Sequence, residues 1–255
     1  MAGFRAYHEN LSSASSGSAL ALSPEESRHL CGALRAAPGD LLDVFDLLGN
    51  VFGARILGAS PKCARVELLE KKPLPARGAK ITIAQCLPKG GTFEAIISQS
   101  VQLGVSGIYP LVSERTIVRL DANEARRKRG KWSSQIVEAV KQSANMSGLE
   151  LAPLAPLADF LKSPPPGSLK IVASLERGKA RPVLEILRSA PPSIPEVCFL
   201  IGPEGDLSEG EYAAAYAAGF LPACLGENVM KCEVAAAFCA SAAGAFFAAN
   251  SAAEI

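Results

Sequence analysis

The hydrophobic and polar positions change rhythm once along this chain. In the first third, short apolar runs alternate with turn residues. "APGDLLDVFDLLGNVFGARIL" carries a turn at Pro38-Gly39-Asp40, then an apolar run, a turn near Gly49-Asn50 and a second run. "CARVELLEKK" reads as a further strand. "LSPEESRHL" sets Ser23 before Pro24, an N-cap and N1 pair that predicts a short helix. This region is expected to be small and β-rich. "KKPLPARGAK", residues 71–80, holds two prolines and a glycine and reads as a linker. A domain boundary is placed near residue 73, giving domains 1–73 and 74–255.

Beyond it, strands alternate with helices. "KITIAQCL" is a near-continuous apolar run, the pattern of a buried strand. "PKGGTFEAIISQSVQLG" has helical spacing at Phe93, Ile96, Ile97 and Val101 and stops at Gly104. "VSGIYPLVS", "LKIVASL" and "EVCFLIG" read as strands. "NEARRKRGKWSSQIVEAVKQSANM", "PVLEILRSA", "EYAAAYAAG" and the alanine-rich tail read as helices, and "SPPPG" as a loop. The alternation predicts an α/β layer with a mainly parallel sheet.

"VAAAFCASAAGAFFAA", residues 234–249, is nearly of transmembrane length. A helix apolar all round either spans a membrane or is buried in protein. It is mostly alanine and is read as a buried helix at a subunit interface. Ala240, Gly244 and Ala248 recur every four positions and would let another backbone approach.

Composition narrows the classes. With 26 Lys+Arg against 25 Asp+Glu, the net charge of +1 excludes a globally basic nucleic-acid binder, though not a local basic patch. The seven cysteines (Cys31, Cys63, Cys86, Cys198, Cys224, Cys232, Cys239) form no C-x-x-C pair, and His8 and His29 are the only histidines. No metal is therefore expected. "MAGFRAYHENLSSASSG" has no apolar stretch of signal-peptide length, so a reduced, cytoplasmic setting with no membrane partner is expected.

The candidate chemistry sits in "LIGPEGDLSEGEY", residues 200–212. Its corner follows an apolar run that reads as a central strand, and ligands of open parallel α/β sheets bind at that carboxyl edge. Gly202 and Gly205 permit close backbone approach, and Pro203 stiffens the turn. Ser208 and Glu211 form a capping box that starts the next helix. No Walker loop and no G-x-G-x-x-G is present. The Glu204 carboxylate argues against a phosphate cradle and for a cationic or neutral polar ligand. A second glycine loop, "PACLGENVMKCE" at residues 222–233, follows a short apolar run. If its strand neighbours the first, the two loops would wrap one ligand; the plain alternative is two ordinary strand-to-helix connections.

Together these residues resemble the RsmE-like family, the ribosomal RNA small-subunit uridine-N3 methyltransferases of the SPOUT, or trefoil-knot, superfamily. The resemblance covers nearly the whole chain. The family pattern L-IGPEGG-F-S-E-E, followed by LG-x-R-I-L-R-x-E-T-A, is met here by "LIGPEGDLSEGE" and "LGENVMKCEVA". "PKGGTFEAIISQSVQLGVSGIYPLVSERTIVRL" is similar to the family segment from P-K-G to S-E-R, and "RHL…LR…PGD" to its PUA-like RNA-binding domain.

The resemblance implies a C-terminal α/β trefoil-knot domain behind a small β-rich PUA-like domain. It implies a homodimer that methylates a uridine at N3 in 16S ribosomal RNA on the small ribosomal subunit. Its cofactor would be S-adenosyl-L-methionine, bound largely by backbone groups of three loops. Carried onto this chain, those loops comprise Leu175 and Glu176; Ile201, Gly202, Pro203 and Gly205; and Leu225, Gly226, Val229, Met230 and Cys232. Lys231 would stabilise the uridylate, and Glu204 or Glu233 would take the proton. The alternative for either carboxylate, favoured for Glu233, is to hold the loop in shape. Asn228 stands where the family has arginine. A further departure is Val234 for threonine. Others are Ser98-Gln99 and Gln102 in the first helix of this domain, and "KQSAN" for E-Q-S-G-R. RNA contacts are expected at Arg28, Arg35, Lys89, Arg115, Arg126, Arg127 and Lys128, with Trp132 a core anchor. The alternative is a catalytically impaired rRNA-binding protein retaining the knot fold, for which loss of the Asn228 arginine would be the leading cause.

Overall fold

A computed structural model describes residues 3–75, 78–176, 178–191 and 194–252. Ala76 and Arg77 of the expected linker lie outside the described residues. The chain divides into two compact units, Met1–Ala76 with Val140–Gly148, and Arg77–Ala139 with Leu149–Ile255.

The first unit is built on strands β1 (Phe4–Tyr7), β2 (Ala19–Ala21), β3 (Leu41–Phe45), β4 (Val51–Gly58) and β5 (Arg65–Lys71), in the order β1-β3-β4-β5-β2. The β3–β4 hairpin turns where expected, with Gly49 at φ +90°, a conformation glycine adopts without steric cost. Buried Asp46 fixes that turn by accepting from the backbone N–H groups of Leu48, Asn50 and Leu11 at 2.8–3.0 Å. Helix α1 (Pro24–Ser27) starts where the sequence predicts, Ser23 Oγ accepting from Glu26 N–H at 3.2 Å, and continues as a π-type turn over Arg28–Ala33. Alternating inward residues Val44, Phe52, Ile56, Val66 and Leu68 form the core.

The second unit holds β6 (Lys80–Cys86), α2 (Thr92–Gln102), β7 (Gly107–Val112) and α3 (Ala122–Ser143, its last turn counted with the first unit). Next come β8 (Glu150–Leu151), β9 (Ala155–Pro156), α4 (Leu157–Lys162), β10 (Leu169–Ala173), β11 (Arg181–Pro182) and α5 (Val183–Arg188). The chain then forms β12 (Glu196–Ile201), α6 (Glu209–Ala217), β13 (Leu221–Cys224) and α7 (Cys232–Ala252). The sheet runs β11-β13-β10-β12-β6-β7-β8, with β9 also on β7, and every recorded pairing in it is parallel. Helices cover it, so Ile83, Ile108, Ile171 and Phe199 are inaccessible to solvent and the strands read as apolar runs.

Two expectations are corrected here. The two glycine loops do not leave neighbouring strands: β10 lies between β12 and β13. Apolar runs reveal strands but carry no information about their order. Nor is α7 buried all round: along its small-residue stripe the inner end faces the protein, Gly244 is half-buried and Ala248 is exposed. Ala240 is buried, a Cβ on Gly244 would meet Ile81 Cδ1 at 3.9 Å, and the helix packs on α2, α5, β6 and β12. Small side chains there bring α7 close to its own sheet. The segment Cys232–Asn250 is long and apolar enough to cross a membrane by length and composition, although its inner face is buried in protein.

Candidate active site

The loops that follow β10, β12 and β13 converge at the carboxyl edge of three adjacent strands. They enclose a cavity of about 310 Å³, within the range of small-molecule sites. Leu175 enters it from the β10 loop, and Ile201, Gly202, Pro203 and Glu204 from the β12 corner. Leu225, Gly226, Asn228, Val229, Met230, Lys231 and Cys232 enter from the β13 loop. Among the expected cofactor residues, Gly205 does not line it, and Glu176 lies on a neighbouring groove of about 700 Å³ with Leu184 and Phe238.

The corner is braced by two segments distant in sequence. Arg115 donates from Nη1 to the Gly205 carbonyl at 3.0 Å, and a Cβ on Gly205 would stand 3.4 Å from Arg115 Cβ. The neighbouring Glu114 N–H donates to Glu211 Oε1 at 2.7 Å. Glu211 also closes the expected capping box, accepting from Ser208 N–H at 3.0 Å while its own N–H reaches Ser208 Oγ at 3.3 Å. From the other side, Lys89 N–H donates to Glu204 Oε1 at 2.9 Å. The "PKG", "SER" and "GPEG" motifs therefore meet at one place. Of the two residues expected at RNA, Lys89 braces this corner only through its backbone N–H, and Arg115 through its guanidinium.

Sequence reasoning missed Asp206, Tyr212 and Tyr216. Asp206 lines the cavity at φ +62°, and its Oδ1 accepts from the Tyr212 hydroxyl at 2.8 Å. That hydroxyl accepts from Leu175 N–H at 3.4 Å, linking the β12 corner to the β10 loop. Burial, then the Asp206 hydrogen bond and charge, push the Tyr212 phenol up, so it remains a donor. One helical turn on, Tyr216 donates to Glu176, which also pairs with Lys179 at 2.8 Å. These bonds, led by Lys179, hold the Glu176 carboxyl below its ordinary range. The only sequence signal was the i, i+4 spacing of the tyrosines behind the capping box.

The third loop is held lightly. Cys232 is pushed up to about 11, by burial first and then by the Glu204 and Glu233 charges. It stays a thiol, with Sγ 3.6 Å from the Gly202 carbonyl. Among the described residues, no acceptor is recorded for the backbone N–H groups of residues 225–231. Backbone donors without partners at a cavity rim suit a polar ligand held by main-chain atoms.

The remaining basic residues are dispersed. Arg28 and Arg35 are exposed in the first unit, and Arg126 and Arg127 are exposed on α3. Lys128 and Lys131 approach Glu94 at 4.0 and 2.9 Å. Burial alone would raise the Glu94 carboxyl, but pairing with Lys131 and the charge of Lys128 hold it below the ordinary range. Trp132 is buried edge-on against Phe93 at 4.6 Å, the anchor expected from sequence.

Comparison with known proteins places this geometry. Residues 75–244 match the family model described as the RNA methyltransferase domain. The chain belongs to this family. Among similar RNA methyltransferases, the ribosomal RNA small subunit methyltransferase E of Synechocystis is 27% identical over 84% of this chain and 69% of its own. That of Bacillus subtilis is 26% identical over 86% of each chain. A crystal structure of the Neisseria gonorrhoeae enzyme of the same name, bound to S-adenosyl methionine, superposes with a TM-score of 0.83 at 28% identity. It covers 94% of this chain and 96% of that one. The α/β architecture with its mainly parallel sheet is thus that of an RNA methyltransferase.

Proposed function

We propose that this chain transfers a methyl group from S-adenosylmethionine to N3 of a uridine in 16S ribosomal RNA, acting on the small ribosomal subunit. The observation that carries the reading is the convergence of three loops, from adjacent parallel strands, on one cavity rimmed by backbone donors that have no acceptor among the described residues. That lining fits the cofactor: main-chain N–H groups for its polar ends, and Leu225, Val229, Met230 and Ala235 for its apolar surface. The names of the similar enzymes supply the RNA class.

When bound, the cofactor supplies an electrophilic methyl on a cationic sulfur. The chain's own residues must present uridine N3 in line, at roughly 3–3.5 Å, and favour its deprotonated form. The neutral imide has no in-plane lone pair at N3. Lys231, exposed at the cavity rim, offers a cation to the developing uridylate and lowers the cost of that charge. Glu204 keeps Oε2 available to take the proton while Lys89 N–H holds Oε1. Asn228 presents a neutral amide where a guanidinium would add a charged fork. Arg28, Arg35, Arg126 and Arg127 are exposed cations suited to RNA phosphates.

The working form is a cytoplasmic homodimer. Leu175, Leu184, Val229, Val234 and Phe238 are large apolar side chains at least a third exposed on and around the site loops, a patch suited to a second subunit. The C-terminal segment forms the knot, residues 225–232 closing the cofactor loop.

The test separates binding from turnover. Lys231→Ala should leave cofactor affinity by calorimetry within about threefold and lower label transfer to small subunits by roughly 100-fold. Equal losses in both would remove Lys231 from the chemistry, and no cofactor binding by the unaltered protein would refute the site.

A further inference from the structure

We infer that Asp206 makes this cavity discriminate by charge, favouring the cationic methyl donor over its neutral demethylated product. The inference rests on the reading of the cavity as the donor site. The donor carries a sulfonium, an ammonium and a carboxylate, net one positive charge. Loss of the methyl turns the sulfonium into a thioether, and the product is net neutral. A site that binds both alike is slowed by its own product; one extra negative charge favours the donor.

The cavity has that surplus. Its charged lining is Glu204 and Asp206 against Lys231. Glu204 is tied through Oε1 to Lys89 N–H. Asp206 is fixed from behind, Oδ1 accepting from the Tyr212 hydroxyl at 2.8 Å, while Oδ2 receives no hydrogen bond from any described residue. Its backbone, at φ +62°, adopts a conformation that glycine would reach without strain. The side chain is thus held at a backbone position unfavourable to it, with one oxygen oriented and the other free. Orientation in advance spares the bound ligand the cost of ordering the carboxylate. Tyr212, almost wholly buried, is a positioning residue for it.

Calorimetric titration of the full chain with S-adenosylmethionine and with S-adenosylhomocysteine tests this without turnover. Asp206→Asn removes the charge at nearly constant shape. Asp206→Gly removes it while relieving the backbone, which offsets part of the cost of leaving the Tyr212 hydroxyl without its acceptor, so a melting curve accompanies each titration. Both should weaken the donor by about threefold to tenfold, the effect of one partly screened charge, and the product by less than about twofold. Added salt should narrow the wild-type preference and leave that of Asp206→Gly nearly flat. An unchanged donor-to-product ratio in Asp206→Gly, or equal weakening of both ligands, overturns the inference. Binding of neither ligand by the wild-type chain overturns the donor-site reading itself.

Discussion

Lys141 and Glu26 form an ion pair whose side chains are 7% and 6% exposed, with Nζ–Oε1 at 2.8 Å. Glu26 Oε2 also accepts from Tyr7 N–H at 2.9 Å, so this carboxylate joins α1, β1 and the last turn of α3 within the first unit. Replacing lysine alone, as Lys141→Met, leaves the carboxylate buried with its countercharge gone. The loss is expected at about 3–5 kcal/mol, the cost of an uncompensated buried charge. Adding Glu26→Gln removes that charge and keeps an amide oxygen for Tyr7 N–H, so the double variant should recover at least about 2 kcal/mol of the loss. Urea denaturation followed by far-ultraviolet circular dichroism reads both values from the shift in midpoint at constant slope. Cofactor affinity should not change, because every cavity-lining residue belongs to the second unit. A single-variant loss of about 1 kcal/mol or less, or a double variant no better than the single, would refute the reasoning.

Three further outcomes follow from particular contacts. Arg115→Ala removes the bond to the Gly205 carbonyl and the side chain packed under that glycine, and should weaken the cofactor severalfold in calorimetry with a stability loss near 1 kcal/mol. The folded Glu94 carboxyl titrates below its unfolded value near about 4.3, so its contribution is present above that pH and is lost as pH falls through the folded value. Glu94→Gln should therefore flatten the acid limb of a stability-against-pH curve, and an unchanged limb counts against the pairing. Gly244→Leu drives side-chain carbons toward Ile81 and should cost about 1–3 kcal/mol by overpacking, read as a lower melting temperature, while sedimentation shows an unaltered assembly state.

Much of this architecture is legible because burial on both faces leaves a strong trace. β6, β7, β10 and β12 stand out as apolar runs, and α2 ends at Gly104, which adopts φ +76°. The two-residue strands β8, β9 and β11 are too short for any period to show, and α4 has too few turns. Strand order was the larger omission. Nothing in "LKIVASL" says that it lies between the strands bearing the two glycine loops, yet that placement brings Leu175 to the cavity. The corner itself was legible from Gly202, Pro203 and the Ser208–Glu211 capping box, all local signals. Its braces were not, because Arg115 and Lys89 act across 90 and 115 positions of sequence. Asp206 was passed over for a similar reason: it acquires its partner Tyr212 only once α6 has formed. The basic run of α3 shows the same limit. Charge alone did not separate Arg126 and Arg127, which are exposed, from Lys128 and Lys131, which approach Glu94.

Nucleoside mass spectrometry of 16S ribosomal RNA tests the central claim most directly. Small ribosomal subunits lacking the modification would be incubated with the protein and S-adenosylmethionine, and the RNA digested and mapped. The account predicts 3-methyluridine at a single position, formed only when the cofactor is supplied. A methyl group on another atom or base, or no methylated nucleoside while the cofactor still binds, would contradict it.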